Sequence, residues 1–254
     1  MRERTPFEFV WDLESVRFFW QAQPVRDLGF FTDKRLEAFL RLFRRYAPKA
    51  PARVLEIGPG SGTFLACLRE LGWRGLAVDV SWDLLSLARK RGVPGVVGAF
   101  SALPIRDGGA DALVMLEVVE HLLPGHAEAG LEEAARALRP GGLLLLSTPH
   151  NERLEDHRAL CPNCGALFHT VQHVRSFTVA ALRSLVEPRG FHTVMCLPTS
   201  LKATRFPVDW SLRFRAWRRG RKGKADPHLV YIGTRTGPSG EITAASPGAI
   251  ANSG

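Results

Sequence analysis

The chain has 254 residues, of which 45% are hydrophobic, and a formal net charge of +9. This length and apolar content suffice for one full core, so the sequence predicts a single domain with additions. The sequence has no run of about 18 apolar residues, and its first residues, MRER, do not lead into an apolar signal segment. We therefore expect a cytoplasmic protein without a membrane-spanning helix.

The first 50 residues form a predicted helical flank, in which Asp33 caps a helix over residues 34–46. Strand and helix patterns then alternate. Predicted strands cover 53–57, 75–80, 93–97, 111–116 and 143–147, and predicted helices cover 63–71, 82–91 and 128–138. They are followed by a polar loop at 149–176, a helix at 178–187 and two strands at 191–197 and 228–234. Strands separated by helices predict a doubly wound α/β fold with a parallel sheet.

Residues 54–63 read VLEIGPGSGT, an apolar strand followed by three alternating glycines and the start of a helix. Such glycines allow a tight turn and the close approach of a ligand. The spacing departs from the dinucleotide fingerprint at Thr63, and the carboxylate of Glu56 would repel a pyrophosphate. Asp79, about 20 residues later at the end of the second strand, can accept hydrogen bonds from ribose hydroxyls. The pattern favours a nucleoside ligand that carries positive charge and no phosphate.

Five motifs in this order resemble the class I S-adenosylmethionine-dependent methyltransferases, in particular the branch that includes the ubiquinone- and menaquinone-pathway enzymes. The motifs are EIGPGSG at 56–62, VDVS at 78–81, LP at 103–104 with Asp111, EVVEH at 117–121 and LRPGG at 138–142. The resemblance implies a sheet of seven strands with the last one antiparallel. It also implies a methyltransferase domain, which we place at residues 51–236 after the flank at 1–50. The tail at 237–254 consists largely of Gly, Ser, Ala and Pro with little apolar content, which predicts disorder.

The resemblance also implies which residues hold S-adenosylmethionine. Family members usually have Asp where this chain has Ala99, and we expect Phe100 and Ser101 to contact the adenine by packing and backbone contacts instead. The complete set of predicted cofactor residues is Glu56, Gly58, Gly60, Asp79, Val80, Trp82, Phe100, Ser101 and Glu117.

Two histidines are candidate bases for the transfer of a methyl group to a hydroxyl. His121 follows the fourth predicted strand, and His150 follows the fifth. Both therefore stand at the carboxyl edge of the sheet, where ligands of α/β proteins bind. A loop histidine without a catalytic role remains an alternative for each of them.

A second strong pattern is CPNCG at 161–165 followed by two histidines, which together give the spacing C-x2-C-x4-H-x3-H. The turn is typical of zinc knuckles, so Cys161, Cys164, His169 and His173 form a predicted structural zinc site. Two loop cysteines with unrelated histidines, or a redox pair, are alternatives. A further alternative takes Glu117, Glu120 and His121, which resemble the metal ligands of small-RNA 2′-O-methyltransferases, completed by His169 or His173.

Residues 202–224 hold nine basic residues against one acid, Asp209, and form a basic insertion at 201–226 with interleaved aromatic residues. Three interpretations remain open: an arm that packs by its aromatic face, a peripheral contact with the inner membrane face that reaches a lipid-linked acceptor, or a site for RNA. The most favoured function is O-methylation of a small or lipid-linked acceptor. An RNA methyltransferase that uses the basic arm and the knuckle, and a non-catalytic interaction protein of the same fold, are the alternatives.

Overall fold

The computed structural model describes residues 5–22, 30–201 and 226–237. In chain order its helices and strands are β1 (Phe7–Glu8), α1 (Leu13–Gln21), α2 (Phe31–Tyr46), β2 (Arg53–Ile57), α3 (Thr63–Glu70), β3 (Arg74–Asp79), α4 (Trp82–Lys90), β4 (Gly95–Val97), β5 (Ala110–Leu116), α5 (His126–Ala137), β6 (Leu138–Pro149), β7 (Arg158–Leu160), β8 (Ala166–His169), α6 (Val179–Val186), β9 (Phe191–Thr199) and β10 (His228–Arg235).

Seven strands form the central sheet in the order β4-β3-β2-β5-β6-β10-β9. Strands β2 to β6 pair in parallel, whereas β10 runs antiparallel to both β6 and β9. The predicted fold class, a doubly wound sheet of seven strands with the last one antiparallel, is confirmed. Because β10 reverses direction, its first residue lies beside the carboxyl ends of the parallel strands.

The sheet is buried on both faces, and β5 shows how its sequence achieves this. Leu113 and Met115 pack into one core cluster, while the alternate residues Ala112, Val114 and Leu116 pack into the cluster on the other face. Successive side chains of a strand point to opposite faces, so a continuous apolar run is what a doubly covered strand requires.

The predicted polar loop at 149–176 is wrong in part, because it contains a β-hairpin. Strands β7 and β8 pair antiparallel around the CPNCG turn, in which Gly165 adopts φ +83°. Strand β1 adds to β8 in parallel, through Phe7–Ala166 and Glu8–Leu167, and completes a sheet of three strands. The sequence did not predict these strands, because each has only two to four residues and shows no periodicity of its own.

In its described residues, the N-terminal flank contributes strand β1 and the helices α1 and α2. Asp12 and Ser15 form a reciprocal capping box that begins α1. Helix α2 begins at Phe31, three residues before the predicted start, so Asp33 does not cap it. The carboxylate of Asp33 instead accepts a hydrogen bond of 2.7 Å from the Ser61 hydroxyl, which connects the helix to the glycine-rich turn.

Most of the predicted basic insertion and nearly all of the predicted tail lie outside the described residues. Among the helices that the structure does describe, none has the length and apolarity to cross a membrane.

Candidate active site

The glycine-rich turn begins directly after β2. Gly58, Gly60 and Gly62 have φ of +64°, +54° and +75°, a region that side chains disfavour. A Cβ at Gly60 would lie 2.8 Å from the Phe30 ring, and one at Gly62 would lie 2.5 Å from Cα of Ala88. The turn is therefore closely packed by its neighbours, and glycine is required at these positions.

Asp79 ends β3, and its side chain faces a cavity at the carboxyl edge of the sheet. Its Oδ1 accepts a hydrogen bond of 2.8 Å from the backbone N–H of Ser81. Burial raises the pKa of Asp79 to about 7, although backbone hydrogen bonds from Ser81 and Val80 act to lower it. Glu56 is buried beside the turn without lining the cavity, and burial, together with nearby Asp33, raises its pKa well above the ordinary value.

The cavity has a volume of about 510 Å³. Nine of the predicted site residues line it: Gly58, Gly60, Asp79, Val80, Phe100, Ser101, Glu117, His121 and His173. The other six do not: Glu56, Trp82, His150, Cys161, Cys164 and His169.

Two of these residues have other surroundings than expected. Trp82 is 53% exposed, and Arg89 lies over its ring at 5.2 Å. His150 forms an isolated bridge with Phe177, and its Nδ1 lies 3.0 Å from the carbonyl of Asp226. The structure therefore brings His121, and not His150, to the cavity.

Helix α1 forms an apolar wall of the cavity with Leu13, Val16, Phe19 and Trp20. Trp20 packs its ring edge against His121, with 4.7 Å between centroids. Its indole N–H donates a hydrogen bond of 2.8 Å to Oε1 of Gln172. This wall could not be predicted from the sequence, because the amphipathic pattern of a helix does not say which surface its apolar face covers.

Gln172 is fully buried and adopts φ +61°, which is uncommon for a residue with a side chain. Its amide Nε2 donates a hydrogen bond of 3.0 Å to the carbonyl of His121. The backbone carbonyl oxygen of Gln172 lies 3.3 Å from His121 Nδ1. A carbonyl only accepts, so the proton of the neutral imidazole sits on Nδ1 and the lone pair on Nε2.

His121 belongs to a group of three candidate metal ligands with Glu120 and His173, whose ligand atoms lie within 4.8 Å of one another. Burial, with the nearby His173, lowers the pKa of His121 to about 3, so the imidazole is neutral at physiological pH. Glu120 is buried; its Oε2 accepts a hydrogen bond of 2.9 Å from Thr148, but its Oε1 has no partner. Burial and the neighbouring Glu117 raise the pKa of Glu120 well above the ordinary value.

A second group of candidate ligands consists of Glu152, His169 and His173. Neither group contains Cys161 or Cys164, although every cysteine and histidine of the chain lies in the described ranges. The structure thus groups the two histidines of the predicted zinc set with carboxylates rather than with the two cysteines.

Glu117 and His228 form another pair at the cavity. Glu117 adopts φ +57° just after β5 and accepts a hydrogen bond of 2.7 Å from the Ser147 hydroxyl. Its other oxygen lies 3.2 Å from His228 Nδ1, and the His228 ring stacks on Phe31. Sequence analysis missed His228. The signal for it was the antiparallel last strand, whose first residue must lie at the ligand edge.

A family model described as a methyltransferase domain matches residues 31–195. A demethylmenaquinone methyltransferase from Mycobacterium sp. (strain KMS) is 39% identical over 163 residues, which cover 56% of this chain and 68% of the relative. A tRNA (carboxymethyluridine(34)-5-O)-methyltransferase from Macaca fascicularis is 35% identical over 94 residues, which cover 37% of this chain but only 14% of that protein.

Among solved structures, one chain of a complex that contains the Haloferax volcanii Trm112 methyltransferase activator is similar, with a TM-score of 0.65 and 22% identity. The match covers 87% of this chain and 98% of that chain. Because the identity is low, this likeness supports the fold and does not identify an acceptor.

Proposed function

Because this chain belongs to the S-adenosylmethionine-dependent methyltransferases, we propose that it methylates a hydroxyl oxygen of an acceptor with a substantial apolar part. The observation that carries this proposal is a single cavity that is lined by the glycine-rich turn, by Asp79, by His121 and by the apolar face of α1.

The residues of the cavity fit the cofactor. The positive φ of Gly58 and Gly60 leaves backbone at the cavity surface, where a side chain would exclude a ligand. We assign Asp79 to the ribose hydroxyls, because its carboxylate lies at the end of β3 and faces the cavity. Glu117, Phe100 and Ser101 line the same space. When bound, S-adenosylmethionine supplies a methyl group activated by a sulfonium.

The apolar wall supports an acceptor with hydrocarbon or aromatic character. Leu13, Phe19 and Trp20 of α1 line the cavity together with Leu122 and Leu123, which follow the turn of 3₁₀ helix that carries His121. An apolar group that enters this space gains about 25 cal/mol for each Å² it removes from water. The demethylmenaquinone methyltransferase named above is compatible with such an acceptor.

In the proposed reaction the acceptor oxygen bonds to the methyl carbon while the carbon–sulfur bond breaks and its electron pair stays on sulfur. The hydroxyl proton must leave, and the low pKa of His121 makes this residue a weak base for it. A neutral imidazole is, however, a good metal ligand.

We therefore propose that Glu120, His121 and His173 hold a divalent cation, which would lower the pKa of the acceptor hydroxyl so that solvent water takes its proton. The unpartnered Oε1 of buried Glu120 fits this role, because a cation would stabilise the ionised carboxylate. Two imidazoles and a carboxylate favour a transition metal such as Mn²⁺, Co²⁺ or Zn²⁺ over Mg²⁺.

The proposal is tested with methyl-labelled S-adenosylmethionine and phenols that bear alkyl tails of increasing length. We expect a labelled ether, with a KM that falls as the tail lengthens. The matched control is the same phenol with its hydroxyl already methylated, which should take up no label. Bulk tRNA is tested in parallel at several salt concentrations. Label in the control, or label in tRNA alone with a steep salt dependence, would contradict the proposal.

A further inference from the structure

The carboxylate of Glu152 lies between two histidines in the segment that follows β6. Its Oε2 is 2.5 Å from Nδ1 of His173, and its Oε1 is 3.6 Å from Nε2 of His169. All three side chains are largely buried, and the two imidazole rings stack with 4.7 Å between centroids.

Donor and acceptor roles at His169 follow from its backbone contacts. Its Nδ1 faces the backbone N–H groups of His173 at 3.1 Å and of Val171 at 3.4 Å. An N–H group only donates, so Nδ1 holds a lone pair and the proton of the neutral ring sits on Nε2. His169 therefore has no lone pair left for a cation, and it turns its N–H toward Glu152.

The same reasoning gives the opposite tautomer at His173. A carboxylate only accepts, so the short contact with Glu152 places the proton of His173 on Nδ1. The lone pair of His173 is then on Nε2, the nitrogen that remains for the group with Glu120 and His121. Because Gln172 fixes His121 in the same tautomer, both imidazoles present Nε2 as a ligand atom.

We propose that Glu152 is a positioning residue, which sets the tautomer and orientation of His173 so that its Nε2 binds the divalent cation. The inference rests on the metal-assisted mechanism proposed above. A carboxylate that accepts a hydrogen bond from a ligating histidine fixes the ring and raises its basicity, and its loss commonly lowers metal affinity 10–100-fold. His169 is not itself a ligand, because its Nδ1 accepts from the backbone, and its Nε2 stands 3.6 Å from Oε1 of Glu152 without a hydrogen-bond partner.

The test compares the full chain with Glu152→Gln, after chelator treatment, by Co²⁺ calorimetry. We expect Co²⁺ affinity to fall about 10–100-fold in the variant, with S-adenosylmethionine affinity unchanged as proof of folding. Glu155→Gln is the matched control, since Glu155 is exposed in the same segment. It should bind Co²⁺ as the wild type does.

A second readout needs no metal. Long-range ¹H–¹⁵N correlations report which ring nitrogen carries the proton. His173 should be protonated on Nδ1 in the wild type and should lose this preference in Glu152→Gln. An unchanged tautomer, or wild-type Co²⁺ affinity in the variant, would overturn the role of Glu152. Failure of the wild-type chain to bind Co²⁺ would instead overturn the metal-assisted mechanism.

Discussion

Replacing Asp79 by asparagine should stabilise the cofactor-free protein at alkaline pH. The pKa of Asp79 is about 7 in the folded chain, against an ordinary value of 3.8. Each pKa unit corresponds to about 1.36 kcal/mol. The difference of about three pKa units therefore means that the ionised side chain lowers the free energy of unfolding by about 4 kcal/mol. The asparagine side chain carries no charge, and its oxygen can keep the hydrogen bond from Ser81.

The sign of the pH dependence follows from the raised pKa. Well below pH 3.8, Asp79 is protonated in both the folded and the unfolded chain and does not affect the free energy of unfolding. As pH rises the unfolded chain ionises first, so the stability due to protonated Asp79 is lost up to about pH 7. The advantage of Asp79→Asn in the free energy of unfolding should grow from about 2 kcal/mol at pH 5 to about 4 kcal/mol at pH 8.

Urea unfolding at pH 5, 6.5 and 8 measures this advantage. Asp111→Asn is the control with the opposite sign. Although burial acts to raise its pKa, hydrogen bonds from Arg53 and Arg139 lower the pKa of Asp111 to about 2. That variant should lose stability at pH 8. A difference between Asp79→Asn and the wild type that does not change with pH would refute the reasoning.

The same substitution should weaken cofactor binding, which separates the two roles of Asp79. Hydrogen bonds to a charged group contribute about 1.5–3 kcal/mol, so S-adenosylmethionine affinity should fall about 10–100-fold in calorimetry at pH 8. Wild-type affinity in Asp79→Asn would remove this residue from the cofactor site.

Three further predictions concern other parts of the molecule. Gly62→Ala should lower the free energy of unfolding in urea by about 3 kcal/mol, because a Cβ there meets the backbone of Ala88. Gly92→Ala is the control: Gly92 also has a positive φ, +74°, but a Cβ there meets open space, so the loss should be about 1 kcal/mol. Equal losses in the two variants would contradict the packing argument. Trp20→Phe keeps an aromatic side chain but replaces the indole by a smaller ring and loses the hydrogen bond to Gln172, so KM for the acceptor should rise about fivefold without a change in cofactor affinity. Chelator treatment should abolish turnover and Mn²⁺ should restore it in the wild type but not in His121→Ala; turnover that survives chelation would exclude a required cation.

Most of the sheet was predictable from sequence, because its central strands are apolar and are bounded by glycine, proline or charged residues. Strand β2 has the predicted bounds, residues 53–57, since charged Arg53 begins it and Gly58 ends it. The glycine-rich turn and Asp79 follow from the same regularity, as each lies where a parallel strand ends. These positions depend on local pattern and on the common direction of the strands.

The partners of the histidines were less predictable, because spacing along the chain does not give direction in space. The pattern C-x2-C-x4-H-x3-H predicts four converging ligands, but His169 turns its Nδ1 to its own backbone and its Nε2 to Glu152. Glu152 lies 21 residues before His173, and no motif connects the two. Likewise, Trp20 and Gln172 are 152 residues apart and meet only in the folded chain.

Residues 5–22 are connected by hydrogen bonds at two places to the segment that contains His173. Phe7 and Phe9 donate backbone hydrogen bonds to Gly165 and Leu167, and Trp20 reaches Gln172. In the proposed reaction, these contacts would couple the position of α1, which lines the cavity, to the position of His173. We therefore expect deletion of residues 5–22 to disturb the position of His173 as well as the apolar wall of the cavity.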